Sequence, residues 1–317
     1  MSERPPEALL WDFLRGATMT RALGIVADLG LADALADGPR PVEDLAREAG
    51  ADADTLHRLL RALASDGVFA EEEPGTFRNT PASELLRSEG WGDFAHLFGG
   101  VWHRAVGALD AEAGEAAFPR TFGTEFWEWL AAHPEERAAF DRAMVNGNDG
   151  RVERLTSVGW RGDETVVDVG GGNGALLIEL LQRQPGLRGI VFDLPETTRD
   201  EASFGDRIEF VAGNFFEGVP RGDVYVLSTI LHDWDDERAA AILRTIHASA
   251  PPDARLLVLD AVLAPGNEPQ GAKWLDLLML AQFNGRERDE AQWRALLAGA
   301  GFEPVRIEGA LIEARCR

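Results

Sequence analysis

Twelve residues carry the first chemical signal. Val166-Val167-Asp168-Val169 is an apolar run that breaks into Gly170-Gly171-Gly172-Asn173-Gly174 and then continues as Ala175-Leu176-Leu177. The run predicts a buried strand, a glycine turn and the start of a helix. Glycines at such a turn permit positive φ and let the backbone touch a ligand. The helix start behind them offers unpaired N–H groups and partial positive charge. Such a loop holds a nucleotide-like cofactor. Gly170-x-Gly172-x-x-Ala175 satisfies the dinucleotide fingerprint, so these glycines alone leave the cofactor open.

The elements that must position this loop follow from the pattern on either side. From residue 164 onward, strands predicted at 165–169, 189–193, 208–212, 223–228 and 255–260 alternate with helices, notably 174–184 and 236–249. That alternation means a parallel sheet with crossover helices. Residues 302–307 and 310–315 flank Glu308-Gly309 as a terminal hairpin, so the last strand should run antiparallel. Before this lies a mostly helical third. Apolar spacing over 8–36, with Gly30 dividing two helices, is followed by short helices from Pro41 and from the capping group Asp52-Ala53-Asp54-Thr55. Val68–Ala70 and Thr76–Arg78 then form a small β-ribbon around Pro74-Gly75. Helix, turn, helix and wing make a winged helix. Residues 84–150 are helical and rich in aromatics, and the turn cluster Asn146-Gly147-Asn148-Asp149-Gly150 marks a boundary. The expected domains are 1–100 (winged-helix dimerisation), 101–150 (helical, toward the substrate pocket) and 151–317 (cofactor binding and catalysis).

Bulk composition limits the partners. The 317 residues carry a net charge of −23, a field that repels phosphate backbones. The wing holds Glu71, Glu72 and Glu73 where a DNA reader needs cations, so nucleic acid is not an expected partner. No run of 18 apolar residues suits a membrane span, and the polar start Met1–Pro6 leads into no signal-peptide core. The single cysteine, Cys316, fits a reducing cytoplasm. No metal-ligand spacing stands out, so no metal is expected.

Three features turn the cofactor reading toward S-adenosylmethionine. The glycines also read G-x-G-x-G with Asp168 two residues ahead; Asp193 follows the second strand, placed to accept from ribose hydroxyls; and the terminal hairpin comes without a second mononucleotide half.

With Asp168–Gly174, Phe192-Asp193-Leu194-Pro195, Leu231-His232-Asp233-Trp234-Asp235-Asp236 and Gly285-Arg286-Glu287-Arg288 in view, the whole chain resembles the small-molecule O-methyltransferases of the plant caffeate type and of bacterial polyketide tailoring. The resemblance implies a Rossmann-like α/β sheet behind an N-terminal dimerisation domain, a homodimer and a small aromatic substrate. It implies cofactor roles for Asp168, Gly170, Gly172, Asp193, Asn214, Phe215 and Ser228. Asn214 stands where Asp is common, and Ser228 where Lys or Arg is. Asp260 replaces a familiar Glu, and the segment from Asp193 to Arg207 is short.

His232, just past a predicted strand end, is the candidate general base for a phenolic hydroxyl, since an imidazole of reference pKa about 6.5 is available near pH 7. By the family pattern, Glu287 and Asp260 are its orienting carboxylates. Met144, Trp274, Met279 and Phe283 are candidate substrate contacts because Met adapts and aromatic rings stack. Asn284 either donates to substrate or occupies a turn. His57, His96, His103 and His133 show no carboxylate pattern. The leading reading is a cytoplasmic, homodimeric O-methyltransferase whose N-terminal domain meets its partner's. Its rivals are a relative using the cofactor for hydroxylation, decarboxylation or cyclisation, and a small-molecule-responsive winged-helix regulator.

Overall fold

The computed structural model describes residues 5–87, 90–145, 148–195, 197 and 205–317. These residues divide into two compact units, one of residues 1–107 with 133–146, the other of 108–132 with 147–317.

The first unit opens with helix α1 (Pro6–Asp28), followed across Gly30 by α2 (Leu31–Ala34). Then come β1 (Arg40–Pro41), α3 (Val42–Ala49), α4 (Ala53–Ser65), β2 (Phe69–Glu73) and β3 (Thr76–Asn79). Asp52 caps α4 by accepting from the Thr55 N–H at 2.8 Å. The three strands pair antiparallel in the order β1-β3-β2, which completes the wing. Leu45, Leu56, Leu60, Phe69 and Phe77 bury together beneath it. Each such side chain contributes on the order of 1.5–3 kcal/mol of transfer free energy. Helices α5 (Pro81–Glu84), α6 (Trp91–Gly99), α7 (Val101–Val106) and, later in the chain, α10 (Pro134–Val145) complete the unit.

His96 on α6 has carboxylate partners that no sequence pattern shows. Its Nδ1 lies 2.6 Å from Asp28 Oδ1 on α1 and its Nε2 lies 2.9 Å from Glu136 Oε2 on α10. The partners are 68 and 40 residues away in sequence, beyond the reach of any local pattern.

The second unit carries α8 (Ala117–Phe122), α9 (Phe126–Ala132), α11 (Asn148–Thr156) and then the alternating region. Asn148, Asp149 and Gly150, expected in a turn, form the first turn of α11; Asn146 and Gly147 lie outside the described residues. Strands β4 (Thr165–Val169), β5 (Arg188–Asp193), β6 (Ile208–Ala212), β7 (Val224–Ser228) and β8 (Arg255–Leu259) are parallel. They combine with β11 (Phe302–Glu308) and β12 (Leu311–Cys316) in the order β11-β12-β8-β7-β4-β5-β6. As expected, β12 runs antiparallel to both its neighbours.

Alternation along β4 sends Val167 and Val169 to one face of the sheet, with α13 (Asp236–Ser249) and α15 (Glu290–Gly299). Val166 goes to the other face, with α11 and α12 (Ala175–Arg183). Both faces are covered, so the strands read as near-continuous Val/Leu/Ile runs. Strand order reverses at β4, and ligands of open α/β sheets bind outside the carboxyl ends of the strands at that point.

One pairing escaped the sequence reading. β9 (Val262–Leu263) and β10 (Arg288–Asp289) form a two-residue parallel ladder, while α14 (Ala272–Phe283) connects them. The ladder brings the chain just after Asp260 beside the chain just after Glu287.

Candidate active site

The glycine loop leaves β4 at Val169. Gly170 has φ +75°, and a side chain there would also lie 2.5 Å from Ile230 Cδ1. The positive φ is what demands glycine, and the close Ile230 side chain adds to the crowding. Gly170 N–H donates to the Phe192 carbonyl at 2.8 Å, which ties the loop to β5. Asp193, at the end of β5, draws the loop further in by accepting from Gly172 N–H at 2.7 Å. Its other oxygen accepts from Leu194 N–H and Thr197 Oγ1, each at 2.7 Å. Residues 196 and 198–204 of the shortened segment between Asp193 and Arg207 lie outside the described residues.

Asp168 stands on β4 just below the loop and is 2% exposed. Burial, then the charge of Asp193, pushes its carboxyl up to about 7, with Arg151 opposing. Arg151 on α11 was not anticipated from sequence. Burial lowers its pKa, against the charges of Asp260 and Asp168. Nothing at short range around it carries a recognisable motif; only the fold brings α11 to these carboxylates.

After β6, Asn214 Oδ1 accepts from Phe216 N–H at 3.0 Å and so turns the chain. Phe215 and Phe216 meet the Trp234 ring edge-on, at 6.0 and 5.0 Å between centroids. Arg238 covers the outer side, 4.6 Å from the Trp234 centroid. Ser228, at the end of β7, and the Trp234 indole nitrogen are buried polar groups with no hydrogen-bond partner among the described residues.

Beyond β7 the chain passes through Thr229, whose φ of 54° is costly for a β-branched residue. It then forms a 3₁₀ turn, Leu231–Asp233. His232 Nδ1 lies 2.7 Å from Glu287 Oε1, and its Nε2 lies 3.5 Å from Asp233 Oδ1. Burial lowers the proton affinity of this imidazole. The charge of Asp260, the Glu287 hydrogen bond and Asp233 outweigh that, and its pKa rises to about 10. The reference value of about 6.5 therefore does not describe it. Burial likewise pushes Asp233 up to about 7 and Asp260 up to about 6. The three residues expected to act together, His232, Glu287 and Asp260, do converge.

A second layer holds this turn. Gly285 abuts the His232 carbonyl so closely that a side chain would lie 2.2 Å from its oxygen. Arg286 N–H donates to that carbonyl at 2.8 Å, and Glu287 N–H to Asp276 Oδ1 at 2.7 Å. The fully buried Arg288 guanidinium donates to the carbonyls of Leu231 and Trp234 and to Asp236. The Gly-Arg-Glu-Arg segment was visible as a landmark, but its work of bracing the His232 turn was not.

Of the candidate substrate contacts, Met279 is buried on α14. Phe283, at the end of that helix, stacks on Trp127 with centroids 5.6 Å apart and planes at 20°. Trp274 is 61% exposed on the first turn of α14. Asn284 is exposed and takes the left-handed conformation (φ 59°) that ends the helix. Met144 lies on α10 in the other unit. The other four share α14 and its C-terminal cap.

Comparison with known proteins agrees with this architecture. Residues 102–303 match the O-methyltransferase domain, and residues 11–89 match the O-methyltransferase dimerisation domain. The chain is 40% identical to the phenazine O-methyltransferase PhzM of Lysobacter antibioticus, covering 96% of this chain and 93% of that one. The crystal structure of LaPhzM superposes with a TM-score of 0.92 at 38% identity over 99% of this chain and all of that one. NcsB1, an O-methyltransferase from neocarzinostatin biosynthesis, was solved with S-adenosyl-L-homocysteine and 1,4-dihydroxy-2-naphthoic acid. It gives a TM-score of 0.82 at 33% identity, covering 95% and 96% of the two chains. Loop, sheet order and both domain matches coincide over nearly the full length, and the chain belongs to the S-adenosylmethionine-dependent O-methyltransferase family.

Proposed function

We propose that this enzyme methylates a phenolic hydroxyl of an aromatic or polyketide-like natural product, with His232 as general base. The observation that carries the reading is the His232–Glu287 contact of 2.7 Å, made past the end of β7.

The residues present fit the cofactor. Asp193 supplies carboxylate oxygens able to accept from ribose hydroxyls. Asn214, Phe215 and the unpaired Trp234 N–H suit a flat, polar-edged base. Asp168, buried and short of a partner at one oxygen, suits a cationic amine, and Arg151 a carboxylate. Ser228 offers a hydroxyl in place of a cation. When bound, S-adenosylmethionine supplies a methyl group already activated by its sulfonium.

What remains for the protein is to position an oxygen and remove its proton. A phenol has a reference pKa of about 10, close to that of His232 in this site. Proton transfer between them is therefore nearly balanced. Glu287 holds Nδ1 and fixes the tautomer, so Nε2, 3.5 Å from Asp233 Oδ1, is the nitrogen that would take the acceptor's proton. Asp260 and Asp233 stabilise the imidazolium that forms. Phe283 and Met279 offer apolar surface for a ring.

The proposal includes a homodimer in the cytoplasm, joined through residues 1–100, with 101–150 lining the acceptor side and 151–317 binding the donor. Exposed Leu10, Trp11 and Leu14 on α1 support an interface, because contiguous apolar surface of this kind marks association. Among the described residues no helix is long and apolar enough to cross a membrane.

The test is a methyl-transfer screen over phenols, read by mass spectrometry, with His232→Ala alongside. Turnover should fall by about 10²–10⁴-fold while donor affinity is kept. Wild-type turnover in that variant would sink the base assignment.

A further inference from the structure

Ile230 stands where the glycine loop and the turn that bears His232 come together. β4 and β7 are parallel neighbours, paired as far as Asp168 with Val226, so the loop from Gly170 and the turn from Thr229 leave the sheet side by side. A Cβ built on Gly170 would lie 2.5 Å from Ile230 Cδ1 and 3.1 Å from its Cγ1, so the δ-methyl rests against the glycine backbone. On its other side Gly170 is held by its N–H bond to Phe192 O at 2.8 Å. The loop is therefore gripped between β5 and a side chain that shares a turn with His232.

The main chain that carries Ile230 has little freedom. Thr229 N–H donates to Leu259 O at 3.1 Å, and Ile230 O accepts from Asp233 N–H at 3.2 Å. Arg288 holds the Leu231 carbonyl. A β-branched side chain also has few χ1 states. With its backbone tied at both ends, the δ-methyl is a spacer of fixed length. Ile230 is only partly buried, at the margin of the core, whereas Leu231 beside it is 0% exposed. Its burial contributes correspondingly less to folding.

Methyl transfer needs the acceptor oxygen in line with the donor carbon, and an error of about 1 Å can cost 10²-fold in rate. The loop and the turn come from different strands, and the width of the gap between them decides whether that alignment is reached. We propose that Ile230 is a positioning residue for methyl transfer: its δ-methyl sets the spacing between the glycine loop that holds the donor and the turn that presents the base. The inference rests on the His232 reading above and adds a residue that acts through Gly170 rather than on the proton.

Ile230→Val removes the δ-methyl alone, and Ile230→Ala removes the spacer. With the full-length enzyme and a phenol that it methylates, kcat should fall about 3–10-fold in the first and about 10²-fold in the second. The acceptor KM and the calorimetric Kd for S-adenosylmethionine should stay within about threefold. The pH dependence of kcat should keep its position, because no titrating group has been altered. An Ile230 that served the fold alone would show a lower melting temperature with kcat unmoved, and that result overturns the proposal. So does a shifted pH profile, which would mean that the side chain acts on His232 itself. A second readout needs no turnover. Gly170→Ala should weaken S-adenosyl-L-homocysteine binding by about tenfold or more, and adding Ile230→Ala should return part of that loss, since the new methyl then meets no δ-methyl. Strictly additive losses would remove the spacer. If no phenol is methylated, the phenol reading falls and this binding cycle still decides the role of Ile230.

Discussion

The Arg288 guanidinium donates to the main-chain carbonyl of Leu231 at 2.9 Å, across 57 residues of sequence. It is fully buried, and the same side chain reaches Trp234 O at 2.8 Å and Asp236 Oδ1 at 2.9 Å. A charged side chain so placed is the brace of the turn that presents His232.

Arg288→Ala takes a charged donor from the buried carbonyls of Leu231 and Trp234 and leaves Leu231 O with only the long 3.4 Å bond from Trp234 N–H. The expected loss is about 3 kcal/mol of unfolding free energy, read by urea denaturation. Turnover should fall more than donor affinity does. Arg288→Lys can replace one contact but not the fork, and should recover part of the stability. Equal stability of wild type and Arg288→Ala would remove the brace.

One proton must leave the His232–phenol pair before the methyl moves. With His232 at about 10, kcat should rise with pH from 7 toward 10 at close to tenfold per unit. Glu287→Gln removes a charge and weakens the bond that favours the imidazolium, so its plateau should come at lower pH, by about one unit or more. A wild-type profile flat between pH 7 and 9.5 would contradict the coupling of these groups.

Asp168 has a folded-state pKa raised from 3.8 to about 7 by burial and by Asp193. A carboxyl shifted upward contributes stability below its unfolded value and loses it as pH climbs through the folded one. Asp168→Asn should therefore match wild type near pH 4 and exceed it at pH 8 by on the order of 1–3 kcal/mol. Its affinity for S-adenosylmethionine should drop. Melting curves at the two pH values, with calorimetry for the cofactor, decide the point.

His96 is held at about 10 by hydrogen bonds to Asp28 and Glu136, with burial opposing. Its contribution is complete below the unfolded value near 6.5 and disappears as pH rises through 10. The side chain is 35% exposed, so solvent screens the contacts and about 1 kcal/mol is expected from His96→Ala at neutral pH. Near pH 11 the variant and wild type should converge. A neutral-pH loss that persists unchanged at pH 11 would mean that packing, not charge, is responsible.

The alternating sheet and the loop at Gly170 could be read from local periodicity and a contiguous run, whereas the meeting of His232 with Glu287, 55 residues apart, was implied only by the resemblance to the family. His96, Arg151 and Arg288 could not be read either way. Their partners lie far along the chain and are surrounded by ordinary surface-type sequence, and no period encodes such a meeting. The Asn148–Gly150 helix start was misread for a related reason. Asn, Asp and Gly favour turns and helix beginnings alike, and only the packing of Val152 and Leu155 against the sheet selects the latter.

In the proposed reading the donor is held at the ends of β4 to β7, while α14 is tied through Asp276 to the segment that carries Glu287. With Asp276 kept, the rest of residues 272–284 can be rewritten to suit a new aromatic skeleton without retuning how the methyl source is gripped. Grafting that stretch from one relative to another would be a route to exchanging product identity within a shared catalytic chassis.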